Sequence, residues 1–314
     1  MARYNFEKRT YAIAPQGIVE LFVDARHMPI NAQPYGGDEL CIEYYASEEY
    51  PYSVHVENGI VILDCPQASR RMGLGDMFNI FSIPLGGTNW QNLTINIYVP
   101  RAYAGMLNLC TSNAAINVRN LELAGRLHAL TSNAAVDVRG VIAAAFEFGT
   151  TNARVYAENA AACGEPDDDG MLRPAENKIS STNGAIELRG FSTLGSLSCH
   201  TTNGGMRLSD TAIQGGLSCA TSNGSVRIES VSAQETAWIK SSNASVKLDR
   251  LLARDIDIST TNGNIKGSIV GAQSDFMTDC STTNGKCRPA SGGLPTGRML
   301  RARTTNANIV MEFV

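Results

Sequence analysis

The tetrapeptides Thr201-Thr202-Asn203-Gly204 and Thr221-Ser222-Asn223-Gly224 decide the fold of this chain, because both stand at the same point of a repeat. Two hydroxyl residues followed by an asparagine occur ten times, and most copies lie 19 to 22 residues apart. A unit copied at a nearly constant period predicts a solenoid, in which each copy covers the hydrophobic face of the previous one. The asparagines are Asn113, Asn133, Asn152, Asn183, Asn203, Asn223, Asn243, Asn262, Asn284 and Asn306.

Apolar and polar residues alternate on both sides of each repeat asparagine. Before Asn223 the apolar positions are Leu217 and Cys219, and after it they are Val226 and Ile228. A period of two is typical of a strand with one solvated face, and helical spacing is absent. The sequence therefore predicts an all-β fold, a single-stranded right-handed parallel β-helix of about ten coils.

The hydroxyl-hydroxyl-asparagine corner predicts two columns of stacked side chains. Asparagine tolerates a left-handed backbone, and glycine follows it in half of the copies, so we expect positive φ at this bend. Stacked asparagines would hydrogen-bond from coil to coil and form a buried or half-buried asparagine ladder. The hydroxyl two residues before each asparagine has inward parity and would form a second ladder.

Composition and charge narrow the classes of function. The net charge of −4 disfavours a nucleic-acid partner or a membrane surface, since proteins that bind these normally carry a net basic face. The first residues are charged and lack the apolar run of a signal peptide, and no stretch has the ~20 apolar residues of a membrane span. These features predict a soluble, cytoplasmic protein.

The eight cysteines show no CxxC spacing of a metal or redox site. Cys199, Cys219 and Cys280 each lie four residues before a repeat asparagine, where other copies have Leu109 or Phe148. We interpret these cysteines as small core residues. A disulfide between Cys199 and Cys219 on neighbouring coils is the less favoured alternative.

The first hundred residues lack the repeated corner but contain short alternating segments. Asn58-Gly59 separates two of them and predicts a hairpin turn. An open solenoid end exposes apolar side chains and unpaired backbone groups, so we predict that residues 1–100 form a β-rich N-terminal cap. Residues 101–314 are then the β-helix.

Residues 72–83 form an unusually apolar segment between two predicted strands. The segment either folds over the first coil as part of the cap or displays a patch that binds a partner. Capping is favoured, because large exposed apolar patches are costly in soluble proteins.

The strand Leu93-Thr94-Ile95-Asn96-Ile97-Tyr98-Val99-Pro100 and the serial corners that follow it resemble the bacterial DUF4097 family over nearly the whole chain. Members of this family carry the label of adhesins. The resemblance implies a single-stranded parallel β-helix and, through the adhesin label, a role at the cell envelope.

A row of cations lies four residues after the asparagines of five successive repeats. Strand parity directs these side chains outward, so they predict a vertical basic stripe with a cation every ~4.8 Å. Such a stripe is either solvated and partly paired with carboxylates such as Glu229 and Asp249 or a track for an anionic polymer; the first interpretation is favoured. The stripe consists of Arg207, Arg227, Lys247, Lys266 and Arg288.

No other pattern points to catalysis, a cofactor or a metal. The four histidines show no HxH or HExxH spacing, and no GxSxG sequence is present. The acidic segment 165–176 has the spacing of a calcium loop, but its prolines and the absence of flanking helical patterns favour a solvated loop. Its candidate ligands are Glu165, Asp167, Asp169, Gly170 and Glu176.

The sequence thus predicts a protein without enzymatic activity, a scaffold or binding protein that presents outward rows of side chains to a macromolecular partner. This partner would be a protein or an anionic polymer. The alternative is a carbohydrate-active β-helix enzyme, which needs a pair of carboxylates on one outer face.

Overall fold

The computed structural model describes residues 5–65, 92–293 and 297–314. Within them the chain is all-β, as predicted, apart from one turn of 3-10 helix at Gln273–Asp275. The apolar segment 72–83 lies outside the described residues, so its assignment as cap or interface stays a prediction.

In the described part of the chain, seven strands lie before residue 101, and many short strands follow. The first seven are β1 (Glu7–Ile13), β2 (Glu20–Asp24), β3 (Ile30–Tyr35), β4 (Leu40–Ala46), β5 (Ser53–Glu57), β6 (Ile60–Asp64) and β7 (Ile95–Pro100). The next thirteen are β8 (Met106–Cys110), β9 (Ile116–Arg119), β10 (Leu127–Leu130), β11 (Val136–Arg139), β12 (Ile142–Ala143), β13 (Phe146–Thr150), β14 (Val155–Glu158), β15 (Ala161–Ala162), β16 (Glu165–Pro166), β17 (Leu172–Arg173), β18 (Asn177–Ser181), β19 (Ile186–Arg189) and β20 (Ser192–Thr193). The last ten are β21 (Leu197–Thr201), β22 (Met206–Ile213), β23 (Leu217–Thr221), β24 (Val226–Ser241), β25 (Val246–Ser259), β26 (Ile265–Ile269), β27 (Phe276–Thr282), β28 (Cys287–Arg288), β29 (Arg298–Thr304) and β30 (Ile309–Phe313).

Each repeat makes one coil, which we name after its asparagine, and neighbouring coils pair in parallel register. Leu188, Leu208 and Ile228 lie directly above one another in this register, and all three are fully buried. Their burial stabilises the fold by ~1.5–3 kcal/mol for each side chain relative to an exposed position. The core is therefore a continuous stack of inward apolar side chains, as the alternation predicts.

The N-terminal strands make the sheet mixed, whereas the sequence pattern predicted parallel pairing throughout the β-helix. Strand β4 pairs antiparallel with both β1 and β7, and β5 pairs antiparallel with β6. Asn58 and Gly59 have φ of 51° and 78° and form the predicted hairpin turn. Strands β2 and β3, however, pair in parallel with β8 and β9, so residues 20–35 form a coil of their own. The division at residue 100 stays a prediction.

The coils at the C-terminal end do not follow chain order. Strands β29 and β30 pair with β25 and β26 on one side and with β27 and β28 on the other. The Asn306 coil therefore lies between the Asn262 and Asn284 coils. The strands at the N-terminal end also depart from chain order, because β2 lies between β6 and β8.

The inward hydroxyl of each corner links neighbouring coils. Nine of these ten residues are buried, and each hydroxyl donates to a backbone carbonyl of an adjacent coil at 2.8 to 3.3 Å. In several coils it also accepts from the backbone, as Thr201 does from the N–H of Gly204 at 3.1 Å. These bonds satisfy backbone groups that the bend would otherwise leave unpaired.

The asparagine column differs from the prediction in two respects. Successive asparagines are joined by side-chain hydrogen bonds of 2.6 to 2.9 Å, and the column ends where Asn113 Nδ2 lies 2.7 Å from His27 Nδ1. The asparagines are exposed rather than buried or half-buried, and neither they nor the glycines after them have positive φ.

The left-handed bend lies instead at a second corner, seven residues after the asparagine. In seven coils this position has φ between 50° and 62°, at Asn120, Gly140, Asn159, Gly190, Asp210, Ser230 and Arg250. Glycine occurs after the asparagines for a reason other than a left-handed backbone. A Cβ on Gly224 would lie 1.7 Å from the carbonyl oxygen of Gly204, so the close approach of two coils favours glycine there.

Replacing Thr201 with valine is expected to lower the free energy of unfolding by about 1–3 kcal/mol, because the substitution leaves buried backbone groups without partners. Thr201 is fully buried and bonds to the carbonyl of Gly184 as well as to Gly204. Urea titration would measure the change. The control is Thr202→Val, which alters the adjacent, more exposed hydroxyl; equal effects of the two substitutions would contradict the role assigned to Thr201.

Candidate binding surface

The strands that follow the corners form one outer face of the solenoid, and its outward residues align in rows. One row includes Asn117 and Asp137, continues through Tyr156 and Glu187, and reaches Arg207. Beyond it, the register aligns Arg227, Lys247 and Lys266 on the next three coils. The four cations are exposed and occupy four successive coils.

Arg288 does not continue this stripe directly, contrary to the expectation of five successive cations. Val310 pairs in register with Lys266 on one side and with Arg288 on the other. The Asn306 coil is inserted between the two cations, and its outward residue at this position is apolar. The contiguous basic stripe is therefore Arg207 to Lys266.

The carboxylate of Glu229 partly compensates the two arginines of the stripe, Arg207 and Arg227. Arg207 approaches its carboxylate at 2.8 Å, and Arg227 forms an ion pair with the same group. The hydrogen bond from Arg207, supported by Arg227, holds the pKa of Glu229 below its usual value despite partial burial. This half of the stripe is partly paired, as the sequence indicated.

In the described part of the chain, the two lysines of the stripe, Lys247 and Lys266, lack such pairing. Among the residues that the structure describes, no carboxylate forms an ion pair with Lys247 or Lys266. Asp249 lies on the same face, but its described contact is with the hydroxyl of Ser268 at 3.5 Å. Two flexible, exposed ammonium groups thus remain available for an anion from outside the chain.

An ion cluster lies in the same row toward the N-terminal end. Asp137 is buried and accepts from Arg119 at 2.9 Å and from Arg139 at 2.9 and 3.0 Å. The guanidinium of Arg139 also lies 4.8 Å from the centre of the Tyr156 ring. Sequence reasoning missed this cluster, although Asp137 and Arg139 share a strand face and Arg119 lies 20 residues before Arg139.

Replacing Asp137 with asparagine is expected to lower stability at neutral pH by about 1–3 kcal/mol, because two arginines lose a charged acceptor. Burial acts to raise the pKa of Asp137, but hydrogen bonds from Arg139 and Arg119 outweigh it and leave the pKa below its usual value. The carboxylate therefore stabilises the fold above the unfolded pKa of ~3.9, and this contribution is lost as the pH falls through the lower folded pKa.

Thermal unfolding followed from neutral to acid pH would measure both effects. The asparagine variant should lose less stability on acidification than the native protein. Asp249→Asn is the matched control on the same face, and it should lower stability at neutral pH by less, because the described contact of Asp249 is with a hydroxyl. An identical acid limb in the native protein and the Asp137 variant would contradict the prediction.

The acidic segment 165–176 forms a short hairpin from β16 and β17. Glu165 pairs with Arg126, and Asp167 pairs with Arg173 at 2.6 Å. Asp167 Oδ1 also accepts from the backbone of Asp169 and Met171. Glu176 pairs with Lys178 at 3.4 Å, so three of the five candidate calcium ligands have partners within the protein. No group of carboxylate, histidine or cysteine side chains among the described residues has the arrangement of a metal site.

Comparison with known proteins decides the family. The family model described as Toastrack DUF4097 matches residues 18–290. The chain belongs to the DUF4097 family. This match confirms the resemblance carried by the corners and by the strand before the first repeat.

Two solved structures are similar to this DUF4097 chain, and no curated protein matches it. One is "a putative cell adhesion protein" from Clostridium sporogenes, with 8% identity and a TM-score of 0.22, covering 99% of this chain and all of its own. The other is "a putative adhesin" from Bacteroides fragilis, with 11% identity and a TM-score of 0.29, covering 98% of this chain and 97% of its own.

The described residues include no helix with the length and apolar character needed to cross a membrane.

Proposed function

We propose that this DUF4097 protein is a non-enzymatic scaffold whose basic stripe, Arg207 to Lys266, binds an anionic polymer. The observation that carries the proposal is the alignment of four exposed cations on four successive parallel-paired coils. In this proposal the coils form a right-handed, single-stranded parallel β-helix, and the asparagine ladder keeps them in register.

The spacing of the coils supports a linear partner rather than a single anion. Neighbouring strands lie ~4.8 Å apart, so the four cations span ~14 Å along the solenoid. Like charges in direct register repel each other, and a polymer with regularly spaced negative groups would relieve this repulsion. Polyphosphate and sulfated or phosphate-bearing glycans have this chemistry. A location at the cell envelope is part of the proposal, whereas the cytoplasmic location expected from the N-terminal sequence stays a prediction.

Three of the described carboxylates support a role without catalysis. A glycosidase or lyase of the β-helix type needs a carboxyl group that is protonated near neutral pH or a free pair on one face. Asp137, Glu229 and Asp279 are instead bound by arginines, and the pKa of each lies below its usual value. Such groups stay ionised and are held by ion pairs, so they suit a rigid binding surface.

The test is binding of long-chain polyphosphate and heparin to the native protein and to the double variant Arg227→Glu/Lys247→Glu. The proposal is supported if the native protein binds a polymer in a salt-sensitive way and the variant does not. Unchanged binding would remove the stripe as the site, and a native protein that binds neither polymer would remove the proposed partner class.

A further inference from the structure

Cys280 and Cys287 face each other across the corner of the Asn284 coil. Cys280 is the inward residue four positions before the asparagine, and Cys287 is the inward residue three positions after it. The residues at the equivalent positions of neighbouring coils are apolar: Ile258 and Ile265 in one coil, and Ala302 and Ile309 in another. Only the outermost described coil at this end has two thiols there, one on each side of the corner.

The two thiols differ in their access to solvent. Cys280 is 8% exposed, whereas Cys287 is half-buried at the edge of the core. Their coil pairs with the Asn306 coil on its inner side. On its outer side, Ser291 bonds to the backbone of Cys280 at 2.9 and 3.0 Å, and Gly292 bridges to Thr278. Among the described strands, none pairs with the outer edge of Cys287, so this thiol lies at the accessible end of the solenoid.

We propose that Cys280 and Cys287 form an oxidation site that takes a low-molecular-weight disulfide, such as glutathione disulfide, as its co-reactant. The thiolate of Cys287 attacks one sulfur of the small disulfide and releases one small thiolate, which takes up a proton. Cys280 then loses its proton to solvent and attacks the sulfur of Cys287, which releases the second small thiol. The two protein thiols lose two electrons and two protons in total, and the small disulfide gains them.

The environments of the two residues set this order of events. Burial, together with the neighbouring Cys287 thiol, raises the pKa of Cys280 to about 12, so Cys280 is a poor first nucleophile at neutral pH. Once Cys287 carries the mixed disulfide, Cys280 is already beside the sulfur that it must attack. The product disulfide would join the two strands of the outermost coil and lock this end of the solenoid.

The chain provides its own control in a second thiol pair. Cys199 and Cys219 lie in register on adjacent coils, and both are in the thiol form. They are 1% and 0% exposed, in the middle of the stack, where a small disulfide has no access. A pair that is close but inaccessible separates the effect of proximity from that of exposure.

The experiment is incubation of the folded, reduced protein with glutathione disulfide, followed by peptide mapping. The expected result is a Cys280–Cys287 disulfide with loss of two hydrogens, while Cys199 and Cys219 remain reduced. The melting temperature should rise by about 5 °C, because the cross-link restricts the unfolded chain. Cys280→Ser lacks the thiol that closes the disulfide, so it should retain one stable glutathione on Cys287. This variant keeps the test valid if the native mixed disulfide is too short-lived to observe.

Two outcomes at Cys280 and Cys287, and a third at the control pair, would overturn the proposal. In the first, Cys280 and Cys287 of the folded protein both stay reduced under conditions that fully oxidise the cysteines of an unfolded sample. The other is a stable glutathione adduct on Cys287 of the native protein without closure, which would show that Cys280 cannot reach it. Oxidation of Cys199 and Cys219 at an equal rate would also contradict the inference, since access would then not govern the reaction.

Discussion

Replacement of Ala302 with aspartate is expected to lower the free energy of unfolding by about 3–5 kcal/mol, because a carboxylate would be buried without a partner. Ala302 is 0% exposed and lies in register between Ile258 and Cys280. If the coils followed chain order, Ala302 would lie in the terminal coil, where an open end could hydrate a charge. The size of the effect therefore reports the position of the Asn306 coil within the stack.

Val310→Asp is the matched control, because Val310 is an outward residue of the same coil and is 37% exposed. This substitution should change stability by less than about 1 kcal/mol. Native-state hydrogen exchange gives a second measurement: the Ala302 variant should lose protection in β27 as well as in β29, since β27 pairs with β29. Equal, small effects of the two substitutions, with β27 still protected, would contradict the inserted coil.

The double variant Arg227→Glu/Lys247→Glu is expected to weaken binding of long-chain polyphosphate or heparin about 100-fold at low salt. Two positive charges on one row become negative, so the charge changes by four units, and ~0.7 kcal/mol for each unit gives ~3 kcal/mol in total. The effect should shrink as salt is added, because exposed charges are screened. Titration at low and high salt, followed by fluorescence anisotropy of a labelled polymer, would measure it.

Lys178→Glu/Lys240→Glu is the control for net charge. Both lysines are exposed, and both lie on the strands that precede the corners, on a different side of the solenoid. This variant changes the total charge by the same amount and should retain most of the affinity. Equal losses in the two double variants would mean that binding depends on overall charge and not on the stripe. Retention of native affinity in the stripe variant would contradict the proposed site.

Much of the fold could be predicted from the corner sequence alone. The ten asparagines, the inward hydroxyls and the alternating apolar residues defined the coils, and the structure places Thr201 and Leu208 inside as their parity requires. The conformation of the corner could not be predicted in the same way. Asparagine and glycine occur both at left-handed bends and at close backbone contacts, and composition does not separate the two cases.

The second corner shows what sequence reasoning missed and what could have revealed it. Asn120, Gly140, Asn159, Gly190 and Asp210 recur seven residues after the repeat asparagines and have the residue types that tolerate positive φ. The signal was weaker than that of the first corner, because later coils have Ser230 and Arg250 at this position.

The candidate site was only partly predictable, and the reason is the order of the coils. Parity along a strand is a local property, so the sequence by itself determined that Arg207, Arg227, Lys247 and Lys266 point outward from a repeated β unit. Which coils are neighbours is a property of long-range pairing, and residues 44 positions apart, such as Lys266 and Val310, become adjacent only in the folded chain. The tertiary structure alone therefore decided that Val310 separates Arg288 from the stripe and that Glu229 is shared by two arginines.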